Sequence, residues 1–250
     1  RFQVGQRLMS DAVAHARRQI RKGSRLIVSG GIDGSICPWG WVAQLAGGRL
    51  STGDDPHTAY LPFDTRAAGH VAGEGGAILI LEDADAAAER GAATRYGEIA
   101  GYAATFDPRP GSPRAPGLSR AIRAALRDAA VAPADVDVVF ADAAATPALD
   151  RAEADAITEV FGAYAVPVTA PKTATGRLYA GGAALDLAWA LLSVQSGLIP
   201  PTTKVRLAPE YRIDLVTQEA RAAAVRTALV IARGQGGYNS ALVVRAVTEK

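Results

Sequence analysis

Little in this chain invites metal, disulfide or nucleic-acid chemistry. It has one cysteine, one methionine and three histidines in 250 residues. Cys37 alone rules out an intrachain disulfide framework and suits a reducing compartment, so a cytoplasmic setting is expected. His15, His57 and His70 lack the spacing of a zinc site, and neither metal nor cofactor is expected. The net charge of +2 carries no long run of one sign, which leaves no electrostatic footprint for DNA, RNA or an anionic membrane. The cluster Arg17, Arg18, Arg21, Lys22 reads as a solvated helix face. No apolar run of about 18 residues is present, and export is not expected. The serine-hydrolase pattern G-x-S-x-G is missing. The glycines after the first strand do not have dinucleotide spacing either. The chain opens on Arg1 without an initiator methionine, which suggests a piece of a longer protein.

What is present is ordinary globular material, 49% hydrophobic and 21% charged. Helical spacing of Leu8, Ala12, Val13, Ala16 and Ile20 predicts a helix over Val4 to Lys22, ending at Gly23. A short buried strand over Arg25 to Gly30 is followed by a turn at Gly31 to Ser35, and a short helix over Trp39 to Leu45. The continuous apolar run from Gly75 to Asp83 predicts a fully buried strand, with a helical turn or two over Ala84 to Arg90. A strand over Ile99 to Thr105 precedes four prolines between Asp107 and Pro116, the best internal boundary. Beyond it helices are expected at Leu118 to Ala130, Pro147 to Phe161 and Gly182 to Ser196, the second with Thr146 as N-cap. Strands are expected at Val136 to Ala141, Val166 to Thr169, Thr227 to Ala232 and Ser240 to Val247. Strands alternating with helices and closing in a hairpin predict an α/β fold with a largely parallel sheet.

Four stretches carry a likeness to a known family: Leu61 to Asp83 (LPFDTRAAGHVAGEGGAILILED), Val138 to Ala154 (VVFADAAATPALDRAEA), Pro171 to Gly182 (PKTATGRLYAGG) and Ala232 to Val243 (ARGQGGYNSALV). Together they resemble the β-ketoacyl synthase family, and within it the chain length factors, the non-condensing β subunits of type II aromatic polyketide synthases. The resemblance implies a thiolase-like fold with α-β-α-β-α layers, incomplete at the N-terminus. On this view residues 1–107 are the latter part of the N-terminal ketosynthase half and 108–250 the C-terminal half. It also implies a heterodimer with a ketosynthase α subunit, an acyl carrier protein, and a growing poly-β-keto chain in antibiotic-type biosynthesis.

A condensing synthase needs a thiolate nucleophile and two neutral imidazoles that donate hydrogen bonds to an enolate. By resemblance the nucleophile position falls five residues before Asp11, at Gln6, whose carboxamide cannot form an acyl thioester. Asp142 stands where the first histidine would be, with Thr146 and Asp150 matching the flanking pattern. Arg177 stands at the second. A carboxylate has the wrong sign for an enolate, and a guanidinium cannot cycle a proton near pH 7. An ion pair between Asp142 and Arg177 filling the old site is expected, against the plainer reading of two unrelated surface charges. Lys172 and Asp186 match a family lysine and acid and read as a structural pair. Gly234, Gly236 and Gly237 match a family loop, or serve only as turn formers. Trp39 and Trp41 line a tunnel, meet a partner, or are plain core. Cys37 reads as a small packing residue. The isolated chain is expected not to condense, and the alternatives are a catalytically dead thiolase-fold scaffold or an active synthase whose site residues lie elsewhere.

Overall fold

A computed structural model gives the fold and describes residues 7–109, 112, 114 and 116–247. Gln6, and with it the expectation placed there, lies outside the described residues. The element order is α1 (Arg7–Ile20), β1 (Leu26–Asp33), α2 (Pro38–Ala46), β2 (Gly75–Glu82), α3 (Ala84–Glu89), β3 (Glu98–Phe106) and α4 (Gly117–Ala129). Then follow β4 (Val138–Phe140), α5 (Pro147–Phe161), β5 (Pro167–Thr169), α6 (Gly182–Ser196), β6 (Leu198–Ile199), β7 (Asp214–Leu215), β8 (Arg221–Ala222), β9 (Thr227–Arg233) and β10 (Tyr238–Arg245).

The main sheet has six strands in the order β3-β10-β9-β4-β5-β7. It is parallel from β9 to β7 and antiparallel where β10 pairs with β9 and β3. Its strands alternate between two cores, as a two-residue side-chain period requires. Val139, Leu229, Ile231, Ala241 and Val243 face α4 and α5. Val138, Phe140, Val230, Leu242 and Val244 face α1 and α6.

Across α1 and α6 lies a second sheet, the antiparallel pair β1-β2. The layers therefore run helices, six-stranded sheet, helices, two-stranded sheet. Sandwiching explains the composition of α6: a helix between two sheets is apolar nearly all round, and Ala183, Ala184, Leu187 and Ala190 are buried.

Two expectations need correction. β1 continues through Gly31 to Asp33, where a turn was anticipated. Gly30 and Gly31 lie opposite Ile78 and Ala77, and a Cβ added at Gly76 would stand 1.9 Å from the Gly31 carbonyl oxygen. The glycines permit close strand approach rather than a reversal. β1 and β2 are also not the buried strands expected. Leu79 and Leu81 pack inward against α1 and α6, but Ile78 and Ile80 point outward with Leu26, Val28 and Ile32, and Ile80 is 68% exposed.

A continuous apolar sheet face of this kind is an association surface. The 250-residue chain alone is expected to self-associate and bind an apolar dye, and Ile78→Lys with Ile80→Lys to suppress both. Sedimentation velocity and dye fluorescence of the two forms check this.

Candidate functional site

The site lies at the C-terminal ends of β4 and β9, where three loops converge. The first, Ala141 to Thr146, links β4 to α5 and is strained: Ala143 and Ala145 hold φ of 51° and 55°. Such left-handed conformations in non-glycine residues cost about 1–2 kcal/mol each. They are pinned by buried contacts, among them Gly69 N donating to Ala145 O at 2.7 Å. α5 begins at Pro147 as anticipated, but Thr146 caps it by position only, because its hydroxyl makes no bond to the helix amides. Asp150 N instead donates to the Thr146 carbonyl.

The second loop, Pro171 to Gly182, brings in Lys172 and Arg177. It is laid against Val71 to Gly73 by a two-way bridge, Arg177 N to Val71 O at 2.8 Å and Gly73 N to Arg177 O at 3.0 Å. A Cβ at Gly73 would lie 2.2 Å from the Thr175 carbonyl oxygen, so the approach requires glycine. The third loop follows β9, and Arg233 N donates to Asp142 Oδ1 at 3.0 Å just before Gly234. Gly236 and Gly237 hold φ of 75° and 78°, and the Gly237 carbonyl accepts from Asp107 N.

Asp142 and Arg177, 35 residues apart and both buried, form a bidentate pair: Arg177 Nη2 donates to Asp142 Oδ1 and Oδ2 at 2.7 Å each. Arg177 Nη1 donates to the Asp142 carbonyl at 2.6 Å and reaches the Ala143 carbonyl at 3.3 Å. Tyr60 closes the group, its hydroxyl donating to Ala143 O at 2.9 Å. Burial pushes the Asp142 carboxyl up, but Arg177 and Lys172 outweigh it and hold it below the usual carboxylate range. Burial also opposes the Arg177 charge, and Asp142 more than restores it.

Lys172 and Asp186 form a second buried pair, with Nζ 2.6 Å from Oδ2, and Lys172 Nζ also reaches the Asp142 carbonyl at 3.3 Å. Burial pushes the Asp186 carboxyl up. Asp150 is buried and accepts from Phe63 N at 2.9 Å, which ties the LPFD stretch to α5. Burial raises its carboxyl to about 6.

Several members of this cluster were not singled out from sequence. Glu153, wholly buried, accepts from Asp142 N at 2.6 Å and Ala143 N at 2.9 Å. The signal was available, because Asp150 and Glu153 both fall on the face of α5 that carries Ile157 and Val160. His70 is buried with Nε2 2.8 Å from the Tyr179 hydroxyl, and its ring meets Tyr60 and Tyr179 edge-on. Trp39 and Trp41 are not plain core: on α2 they are 76% and 42% exposed.

His70 yields a pH prediction. Burial, aided by the charge of Arg177, lowers it to about 4 from an ordinary 6.5. Its folded form takes up a proton less readily than its unfolded form, so its contribution is lost as pH falls from about 6.5 to 4. The full loss is at most about 3 kcal/mol. Glu153, which burial raises to about 7, works in the opposite sense: its contribution is lost as pH rises through that value. The diagnostic quantity is therefore a difference. His70→Phe should lose less stability than the parent between pH 7 and 5, as read by urea unfolding.

Among the described residues no helix is long and apolar enough to cross a membrane. Residues 10–87 match the model of the β-ketoacyl synthase N-terminal domain, and residues 96–206 that of the C-terminal domain. The chain is 63% identical over 237 residues to the tetracenomycin polyketide synthase ketoacyl synthase beta subunit of Streptomyces glaucescens, covering 94% of this chain and 58% of that protein. It is 34% identical over 244 residues to the 3-oxoacyl-[acyl-carrier-protein] synthase 2 of a Synechocystis strain, again over 94% of this chain and 58% of that protein.

Among solved structures it superposes with TM-score 0.89 on a chain of AntDE:AntF, described as a type II PKS acyl-carrier protein in complex with its ketosynthase bound to the hexaketide. That match is 29% identical and covers 97% of this chain and 62% of that one. The ishigamide ketosynthase/chain length factor matches with TM-score 0.86 and 29% identity over 98% of this chain and 59% of that one. The layered fold and the two domain models matched in series place the chain in the β-ketoacyl synthase family. Within the family it is of the ketosynthase beta-subunit type, the chain length factors of type II polyketide synthases. It spans a little under three-fifths of the length of these curated relatives.

Proposed function

We propose that the chain belongs to a non-condensing subunit that pairs with a cysteine-bearing ketosynthase in the cytoplasm. There it helps set polyketide length while malonyl units are condensed from an acyl carrier protein. The observation that carries this reading is the buried bidentate pair of Asp142 and Arg177. Condensation requires two neutral imidazoles donating to an enolate. A carboxylate locked to a guanidinium donates nothing and fills the space. Lys172 and Asp186 act here as a second fixed pair supporting that filling. Thr146 and Asp150 hold the loop, and Gly234, Gly236 and Gly237 shape the turn beneath it. Gln6 is read as the exchanged nucleophile. The exposed Trp39 and Trp41 fit contact with the partner or the growing chain.

The test is co-expression of the full-length subunit with a cysteine-bearing ketosynthase and mass analysis of products made from malonyl carrier protein. Product length that follows this subunit when partners are exchanged is the expected result. Yield that changes without length would favour a scaffold, and condensation by the subunit alone would overturn the reading.

A further inference from the structure

The Asp142–Arg177 pair depends on where the Asp142 backbone points, and the backbone there is strained. In a trans peptide the N–H and C=O point in opposite directions, so holding one fixes the other. The peptide between Asp142 and Ala143 is held in this way from both sides. Its N–H donates to Glu153 Oε2 at 2.9 Å, and its C=O accepts from Arg177 Nη1 at 2.6 Å. The preceding N–H, that of Asp142, donates to Glu153 Oε1 at 2.6 Å. Both oxygens of one buried carboxylate are therefore used on consecutive amides, directly beside Ala143 with its φ of 51°. A residue in that conformation persists only where its surroundings over-determine it. Nothing about the cation pairs requires a glutamate in α5; what requires it is the direction of the two amides.

We propose that Glu153 is a positioning residue: acting through the Asp142 and Ala143 amides, it aims the Asp142 carbonyl and carboxylate at Arg177 and so keeps the site filled. This rests on the reading of the site as sealed by that ion pair. The charged groups facing Glu153 are Asp142 from the β4 loop and Arg233 from β9.

The test follows the Arg177 guanidinium signal by nitrogen-15 NMR in the full-length subunit. Glu153→Gln keeps the shape but offers one acceptor and turns an NH₂ toward the second amide. Ile157→Ala, one turn along the same buried face of α5, serves as the control for simple loss of packing. Hydrogen exchange of the Arg177 guanidinium is expected to accelerate by about tenfold or more in Glu153→Gln, the scale set by an unmet buried hydrogen bond. Compared at equal overall stability, it should stay near the parent rate in Ile157→Ala. Equal rates in the two variants would overturn the proposal.

If Glu153→Gln does not fold, the unmodified protein decides: the Glu153 carboxyl carbon and the Arg177 signal should titrate with one midpoint, and separate midpoints overturn it. Condensation by the unmodified subunit would instead defeat the sealed-site reading, and that outcome is measured independently of exchange.

Discussion

Asp142→Ala is expected to destabilise the fold by about 3–5 kcal/mol, the cost of leaving one member of a buried pair without its counter-charge. Arg177 is buried among Tyr60, the Asp142 and Ala143 carbonyls and the lost carboxylate, so it has no route to solvent without unwinding the loop. Arg233 N would lose its acceptor as well. The double change Asp142→Leu with Arg177→Met should recover much of the loss, since apolar residues of similar volume commonly replace buried ion pairs at little cost. Recovery should be incomplete, because two carbonyls would be left without their guanidinium donor. Urea unfolding of the parent, the single and the double variant measures this directly. A single variant within 1 kcal/mol of the parent, the range of an exposed pair, would show the pair to be solvated.

Lys172→Met is expected to cost about as much at neutral pH, again about 3–5 kcal/mol, but to differ in its response to acid. It leaves Asp186 as a buried carboxylate without the ammonium that sits 2.6 Å away in the parent. Burial already raises the Asp186 carboxyl, and removing Lys172 removes the main effect that lowers it. A carboxyl raised in the fold contributes stability that is complete below its unfolded value and is lost as pH rises through its folded value. The penalty in Lys172→Met should therefore shrink as pH falls from 7.5 toward 5. Denaturation at the two pH values, parent against variant, reads the sign, and a penalty that grew in acid would contradict it.

These two experiments bear on different parts of what the sequence disclosed. The likeness of the PKTATGR and FADAAATPALD stretches to a known family placed Asp142 and Arg177 together before any geometry was available, and α5 and α6 begin and end where their residues indicated. Local pattern failed where the cause was nonlocal. Gly31 to Ser35 read as a turn, because nothing near them in sequence announces that Ala77 and Gly76 will pair with Gly31 and Ile32. Ile78 and Ile80 read as buried because an apolar run looks the same whether one or both of its faces is covered. Glu153 was not singled out: its place on the buried face of α5 could be read from its spacing to Ile157 and Val160, but the two amides it meets lie in another loop. His70 depended on Tyr179, which lies 109 residues away.

The place of β10 in the main sheet has a consequence for synthesis on the ribosome. β10 lies between β9 and β3, so among the described residues β3 has no strand partner until β10 is made. Roughly 130 residues separate the end of β3 from the start of β10. At translation rates of about 5–20 residues per second, β3 waits on the order of 7–26 s with an open edge. During that interval the nascent chain carries an unpaired strand able to join a neighbouring chain. Slowed translation late in the message should raise the misassembled fraction, while chaperone occupancy of the β3 segment should lower it.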